Sequence, residues 1–161
     1  MQRKTFVKIL KRFGNQQRYF IDASIILEVL FDQPRKEEWF NFLTQFKGNK
    51  IALMSNFTAG EIIKGIYFFE KKFYKEYDTK IAMQIFNELI IDYHLFIERI
   101  TEKTADIAKE VIEYDSRVHF EDALNIGFAK ENECTFFCSL DKGISDCTLN
   151  HFGLKKVDLN K

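Results

Sequence analysis

Short apolar runs alternate along the chain with longer stretches whose apolar residues recur every three or four positions, the rhythm of strands followed by amphipathic helices. Tyr19-Phe20-Ile21 is the first such run, and it leads directly into Asp22. Ser24, standing before Ile25, Ile26 and Leu27, reads as the N-cap of a helix that reaches Phe31. Asp32-Gln33-Pro34 stops it, and the proline opens a second helix, 35–46, that should bury Trp39, Phe42, Leu43 and Phe46 before Gly48-Asn49 ends it. Residues 50–54 form a second strand. Ser55 is a candidate cap for the long helix that follows, with Ile62, Ile63, Ile66, Phe69 and Phe73 on one side. A helix over 79–91 carries Ile81, Met83, Ile85 and Leu89, and 95–100 is the third strand. Thr101 caps a helix running to Tyr114, and another spans 120–130. Residues 135–139 are the fourth strand, and 152–159, around Lys155-Lys156-Val157, add a last one. Strands alternating with helices predict an open parallel sheet covered on both faces, in one α/β domain without repeats or linkers.

Composition narrows the class. A chain of 161 residues, 46% hydrophobic and 30% charged, builds one core of its own. No apolar run approaches the length of about 20 residues that spans a bilayer, and the charged N-terminus is no signal peptide, so no membrane role and a cytoplasmic address are expected. Cys134, Cys138 and Cys147 are odd in number and lack a Cys-x-x-Cys pair, which predicts free thiols in a reducing compartment. The net charge of zero conceals an asymmetry: Arg3, Lys4, Lys8, Lys11, Arg12 and Arg18 face no acid in the first 18 residues, leaving the remainder acidic. Phe6, Ile9, Leu10 and Phe13 recur at helical spacing, so residues 1–17 read as a basic amphipathic extension of a domain spanning 18–161. Its lysines are either a solvated face or a phosphate contact, with a membrane surface a weaker reading.

Four carboxylates recur where parallel strands would bring them to one sheet edge: Asp22 after strand one, Glu61 soon after strand two, Asp122 in the helix before strand four and Asp141 just beyond it. Each has a structural competitor. Glu61 completes a capping box with Thr58 unless Ser55 is the true cap. Asp122 shares a helical face with Ile126 and Ala129, and a carboxylate on a buried face costs several kcal/mol unless compensated. Glu121, on a face with Asn125, reads as solvated. Asp141, in Ser139-Leu140-Asp141-Lys142-Gly143, is either a turn former or a ligand, with Asp146 a possible accessory acid. Carboxylates crowded at one pocket must hold protons or bind a cation, and oxygen donors without a His or Cys cluster select Mg²⁺ or Mn²⁺. None of His94, His119 and His151 is clearly placed with them.

The order Ile21-Asp22-Ala23-Ser24, Ala59-Gly60-Glu61-Ile62, Phe120-Glu121-Asp122-Ala123-Leu124 and Cys138-Ser139-Leu140-Asp141-Lys142 resembles the PIN domain, especially the small VapC-type toxin ribonucleases. The resemblance runs from about residue 18 to about 144. It implies a three-layer α/β/α fold with a central parallel sheet of four or five strands, and a metal-dependent endoribonuclease that hydrolyses RNA phosphodiesters. Asp22, Glu61, Asp122 and Asp141 fall on the family's catalytic, metal-binding acids. Ser24 falls on its hydroxyl position, and Ser139 is a further orienting or substrate-contacting candidate. A homodimer is implied, as is an antitoxin lying over the helices near 58–91. The basic N-terminal extension departs from the small toxin pattern.

The run from Ile66 to Lys75 is aromatic over more than one helical face, so Tyr67, Phe68 and Tyr74 are candidates to meet a second subunit or an inhibitory peptide, the alternative being a covered core helix. Two other classes remain beside the toxin: a non-cleaving RNA- or protein-binding module of the same fold, and an RNA-maturation nuclease. A haloacid-type phosphatase would want a second Asp where Ser24 stands, and a receiver domain would want paired acids earlier.

Overall fold

A computed structural model describes residues 16–46, 50–73 and 79–159. The proposed basic helix of the N-terminal extension, the Gly48-Asn49 stop and Tyr74 lie outside them. Five strands form one parallel sheet: β1 (Gln17–Ile21), β2 (Lys50–Ser55), β3 (Leu95–Glu98), β4 (Phe136–Cys138) and β5 (Lys155–Lys156), in the order β3-β2-β1-β4-β5. Between them run α1 (Ala23–Leu30), α2 (Lys36–Leu43) with a 3₁₀ turn over Thr44–Phe46, α3 (Asn56–Phe73), α4 (Thr79–Asp92), α5 (Glu102–Tyr114), α6 (Phe120–Glu131) and α7 (Asp146–His151).

The two-residue period of the strands divides the core into two. Tyr19 and Ile21 of β1, Ala52 and Met54 of β2 and Cys138 of β4 point to one face, where α1 to α4 cover them with Ile25, Ile26, Trp39, Phe42, Leu43, Ile62, Ile66 and Phe86. Phe20, Ile51, Leu53 and Phe137 point to the other, covered by α5, α6 and α7 through Ala108, Val111, Ile126, Phe128 and Leu149. The result is the three-layer α/β/α arrangement with a five-stranded sheet. The three cysteines are free, two of them buried. No helix among the described residues is long and apolar enough to cross a membrane.

Three details differ from the expected elements. On α4 the buried residues are Ala82, Phe86 and Leu89, whereas Ile81 and Ile85 stand exposed. Positions 81, 85 and 89 satisfy a helical period as well as 82, 86 and 89 do, so periodicity alone does not choose between them. Ile63 of α3 is likewise exposed. The helix α7 went unpredicted because it is a single turn and a half; its signal is Ser145, whose hydroxyl accepts from the Thr148 amide as an N-cap.

The chain leaves β1 toward β2 on one side and returns later to β4 on the other. The carboxyl ends of β1 and β4 therefore flank the sheet's topological switch point, where the first residues beyond each strand face a common crevice. Those residues are Asp22 and Ser139.

Candidate active site

Asp22 is the N-cap of α1 by backbone conformation, yet its carboxylate makes no capping hydrogen bond. Ser24, expected as the cap, lies within the first turn, and its hydroxyl does different work: it donates to Asp22 Oδ2 at 2.6 Å and accepts from the Leu140 amide at 3.1 Å. Ser139, just beyond β4, mirrors it, donating to Asp22 Oδ2 at 2.9 Å and accepting from the Asp141 amide at 3.0 Å. The two hydroxyls thus hold the Asp22 carboxylate while pinning the loop that carries Asp141. Asp141 itself is exposed, and its Oδ1 accepts from the Gly143 amide at 2.6 Å. Its carbonyl accepts from Lys156 Nζ.

A third donor reaches Asp22 from the opposite layer. Asn125 of α6 is buried; its Nδ2 lies 3.4 Å from Asp22 Oδ1, and its Oδ1 accepts from the Thr58 hydroxyl at 3.1 Å. The Thr58 hydroxyl has one proton and gives it to Asn125, so the Ser55 hydroxyl, 2.9 Å away, is the donor in that pair. The Ser55 oxygen in turn accepts from the Thr58 amide. This relay orients the Asn125 amide with its NH₂ toward the acids, the orientation a carboxylate demands. It also settles the cap of α3: Ser55 performs it, and Thr58 forms no box with Glu61.

Glu61, released from capping, turns toward the crevice. Its Oε2 is buried without a hydrogen-bond partner among the described residues. Burial first, then the charges of Asp22, Asp122 and Glu121, push its carboxyl up to about 7, against which a hydrogen bond from Asn125 works only in part. Asp122, in the first turn of α6, is pushed up to about 6 by burial and by the charges of Asp141, Asp22 and Glu121, with His119 acting in the opposite sense. Asp22 and Asp122 thus act on Glu61, and Asp22 and Asp141 act on Asp122, while Asp141 is not among the charges that reach Glu61. Asp146 occupies the first turn of α7, exposed, and is not among the charges that act on Glu61 or Asp122.

Three participants escaped the sequence reading. Helical spacing puts Asn125 on a face with Glu121, which reads as solvated, but α6 is buried on nearly every side from Ala123 to Ala129, and a polar residue within such a helix is the available signal. Glu121 is exposed as expected, but its charge reaches both raised carboxyls. His119, at the N-cap of α6, is exposed, and its charge opposes the upward push on Asp122.

Among the described residues no three His, Cys, Asp or Glu side chains are gathered tightly enough to enclose an ion. The donor set nevertheless fits a hard cation. An orphaned buried carboxylate oxygen and two carboxyls raised by burial and by neighbouring acids mark negative charge left uncompensated among the described residues.

Residues 19–148 match the family model of the PIN domain. The chain belongs to the PIN domain family. PIN domains of this kind are nucleases, and they generally use divalent metal ions. Solved structures with the same fold include VapBC2 from Rickettsia felis bound to a DNA fragment from its promoter, at 13% identity and TM-score 0.65 over 88% of this chain and 98% of that one. VapBC-1 from nontypeable Haemophilus influenzae is 15% identical with TM-score 0.65, over 90% of this PIN chain and all of that one. VapC20 of Mycobacterium tuberculosis, a sarcin-ricin loop cleaving toxin, is 15% identical with TM-score 0.57, over 77% and 90% of the two chains. At such identities the likeness is one of fold. No curated protein sequence matches the chain.

Proposed function

We propose that the protein is a Mg²⁺- or Mn²⁺-dependent endoribonuclease, the toxin of a toxin–antitoxin pair, and that Asp22, Glu61, Asp122 and Asp141 hold the ion. The observation that carries this reading is the electrostatics of the crevice: Glu61 and Asp122 are raised by burial and by their acidic neighbours, and Glu61 Oε2 has no hydrogen-bond partner among the described residues. A bound divalent ion would neutralise that charge, draw in phosphoryl oxygens and make a water more acidic for in-line attack on phosphorus. The chain's own residues do the positioning. Ser24, Ser139 and Asn125 fix the Asp22 carboxylate, and rigid support of this kind keeps an acid within the narrow range that phosphoryl chemistry tolerates. In the ion-free site the Glu61 carboxyl shares its population between protonated and ionised forms at neutral pH, so a cation would arrive with loss of that proton. RNA as the substrate and an antitoxin as the inhibitor are supported by the family and by the VapBC and VapC structures that share the fold.

The test is cleavage of an end-labelled single-stranded RNA by the full chain in Mn²⁺. Cleavage that disappears with EDTA and in Asp22→Asn, whose far-UV spectrum and melting remain cooperative, supports the proposal; equal cleavage by Asp22→Asn overturns it. A non-cleaving binder of the same fold would instead retain RNA without shortening it.

A further inference from the structure

A cavity of about 360 Å³ opens beside the acids, between α1 and α3. Its walls follow two helical stripes. Ser24 and Leu27 of α1 and its C-cap Phe31 stand at i, i+3 and i+7, while Gly65 and Phe68 lie on α3 one and two turns beyond Glu61. Both stripes begin next to the acids, Ser24 bonding Asp22 and Gly65 standing one turn beyond Glu61. Leu140, whose amide donates to Ser24 and which precedes Asp141, closes the same end. The two helices come close at the floor, where a Cβ on Gly65 would stand 2.8 Å from the Leu27 side-chain tip, Cδ1. The lining is almost wholly apolar, and Phe31 and Phe69 stack flat on one another with centroids 3.9 Å apart. At the rim Phe68 is 56% exposed, with Lys64 Nζ 5.9 Å from its ring centroid and no carboxylate among the described residues paired with that lysine.

We infer that this cavity is a nucleobase subsite: it takes the unstacked base of a nucleotide adjoining the phosphodiester at the acids, with Phe68 stacking on the base and Lys64 meeting a flanking phosphate. The inference rests on the ribonuclease reading above. Sequence-tolerant and sequence-specific contacts to single-stranded RNA alike use aromatic faces and apolar slots for splayed bases. A cavity that shares Ser24 with the Asp22 carboxylate is filled most readily by a group already tethered to the phosphate held there, which favours a base over a side chain from another protein. Its apolar walls beside a crowd of acids also suit a neutral, planar occupant rather than an anion.

The experiment has two arms on the full chain. In EDTA, where cleavage is prevented, short single-stranded RNA carrying 2-aminopurine at successive positions is titrated with protein; stacking should quench the probe at a defined position, and Phe68→Ala should weaken that binding by about 5- to 100-fold, with Phe68→Trp restoring it. In Mn²⁺, an abasic nucleotide at the same position should lower kcat/KM for the wild type and have little further effect in Phe68→Ala. Quenching that depends on Phe68 without any cleavage leaves the base subsite standing and removes the nuclease reading. Cleavage indifferent to both the abasic position and Phe68→Ala removes the subsite alone. Unchanged RNA binding by Phe68→Ala, with loss of self-association or of peptide capture, assigns the cavity to a protein partner and overturns the inference.

Discussion

Glu61 is the residue whose environment says most about the site. A lone buried carboxylate oxygen beside other acids raises the free energy of the charged form, so the folded protein keeps a proton at pH values where the unfolded chain has released it. The same holds for Asp122. Because the folded state binds more protons than the unfolded state from about pH 4 to about pH 7, these two groups make the ion-free fold less stable as pH rises through that window. Glu61→Gln removes the charge but keeps the shape. In EDTA it should melt at a higher temperature than the wild type at pH 7.5 and at nearly the same temperature at pH 5, where Glu61 is already protonated; an identical difference at both values would contradict the account. Asn125 shows where reading by helical face fails. Spacing put it with Glu121, which is exposed, but spacing has meaning only on a helix with a solvated side, and α6 has almost none.

At the scale of elements, α5 and α6, packed together over the second face of the sheet, determine where Asp122 and Asn125 stand. α5 and α6 approach so closely at Gly127 that a Cβ there would lie 2.5 Å from the Thr104 carbonyl oxygen. At the neighbouring end Thr101 and Thr104 both give their hydroxyls to the Glu131 carboxylate, tying the N-terminus of α5 to the last residue of α6. Gly127→Ala should therefore destabilise the protein by about 1–3 kcal/mol despite alanine's better helix propensity, because backbone rather than a flexible side chain must yield. A chemical-denaturation midpoint equal to or above the wild type's would contradict this packing. Most elements were readable in advance: the strand cores, the Thr101 cap and the buried Trp39, Phe42, Leu43 and Phe46 all follow from period and capping chemistry. What was not readable depended on tertiary contact. Ser24 looks like a cap until the segment after β4 brings the Leu140 amide to it and Ser139 to Asp22, and α4 offers two equivalent stripes until the sheet selects one.

Over the whole molecule, charge and apolar surface are unevenly distributed. Basic residues crowd the first 18 positions, while the crevice at the switch point gathers acids from four segments. Both helices of the α3–α4 pair expose apolar side chains: Ile63 and Tyr67, 47% and 58% exposed, on the first and Ile81, 55% exposed, on the second. Exposed apolar faces of this kind mark interaction surfaces. If they join two copies of the chain, Tyr67→Glu should shift the wild type's size-exclusion elution from dimer to monomer, and a wild type that elutes as a monomer would contradict the dimer.

The central claim is that the acids converge to bind a divalent cation, and calorimetric titration of the full chain with Mn²⁺ tests it without reference to any RNA. The account predicts saturable binding that weakens sharply in Asp22→Asn and Asp122→Asn, with protons released on binding near pH 7. Absence of binding by the wild type at millimolar Mn²⁺, or an affinity unchanged in both variants, would contradict it.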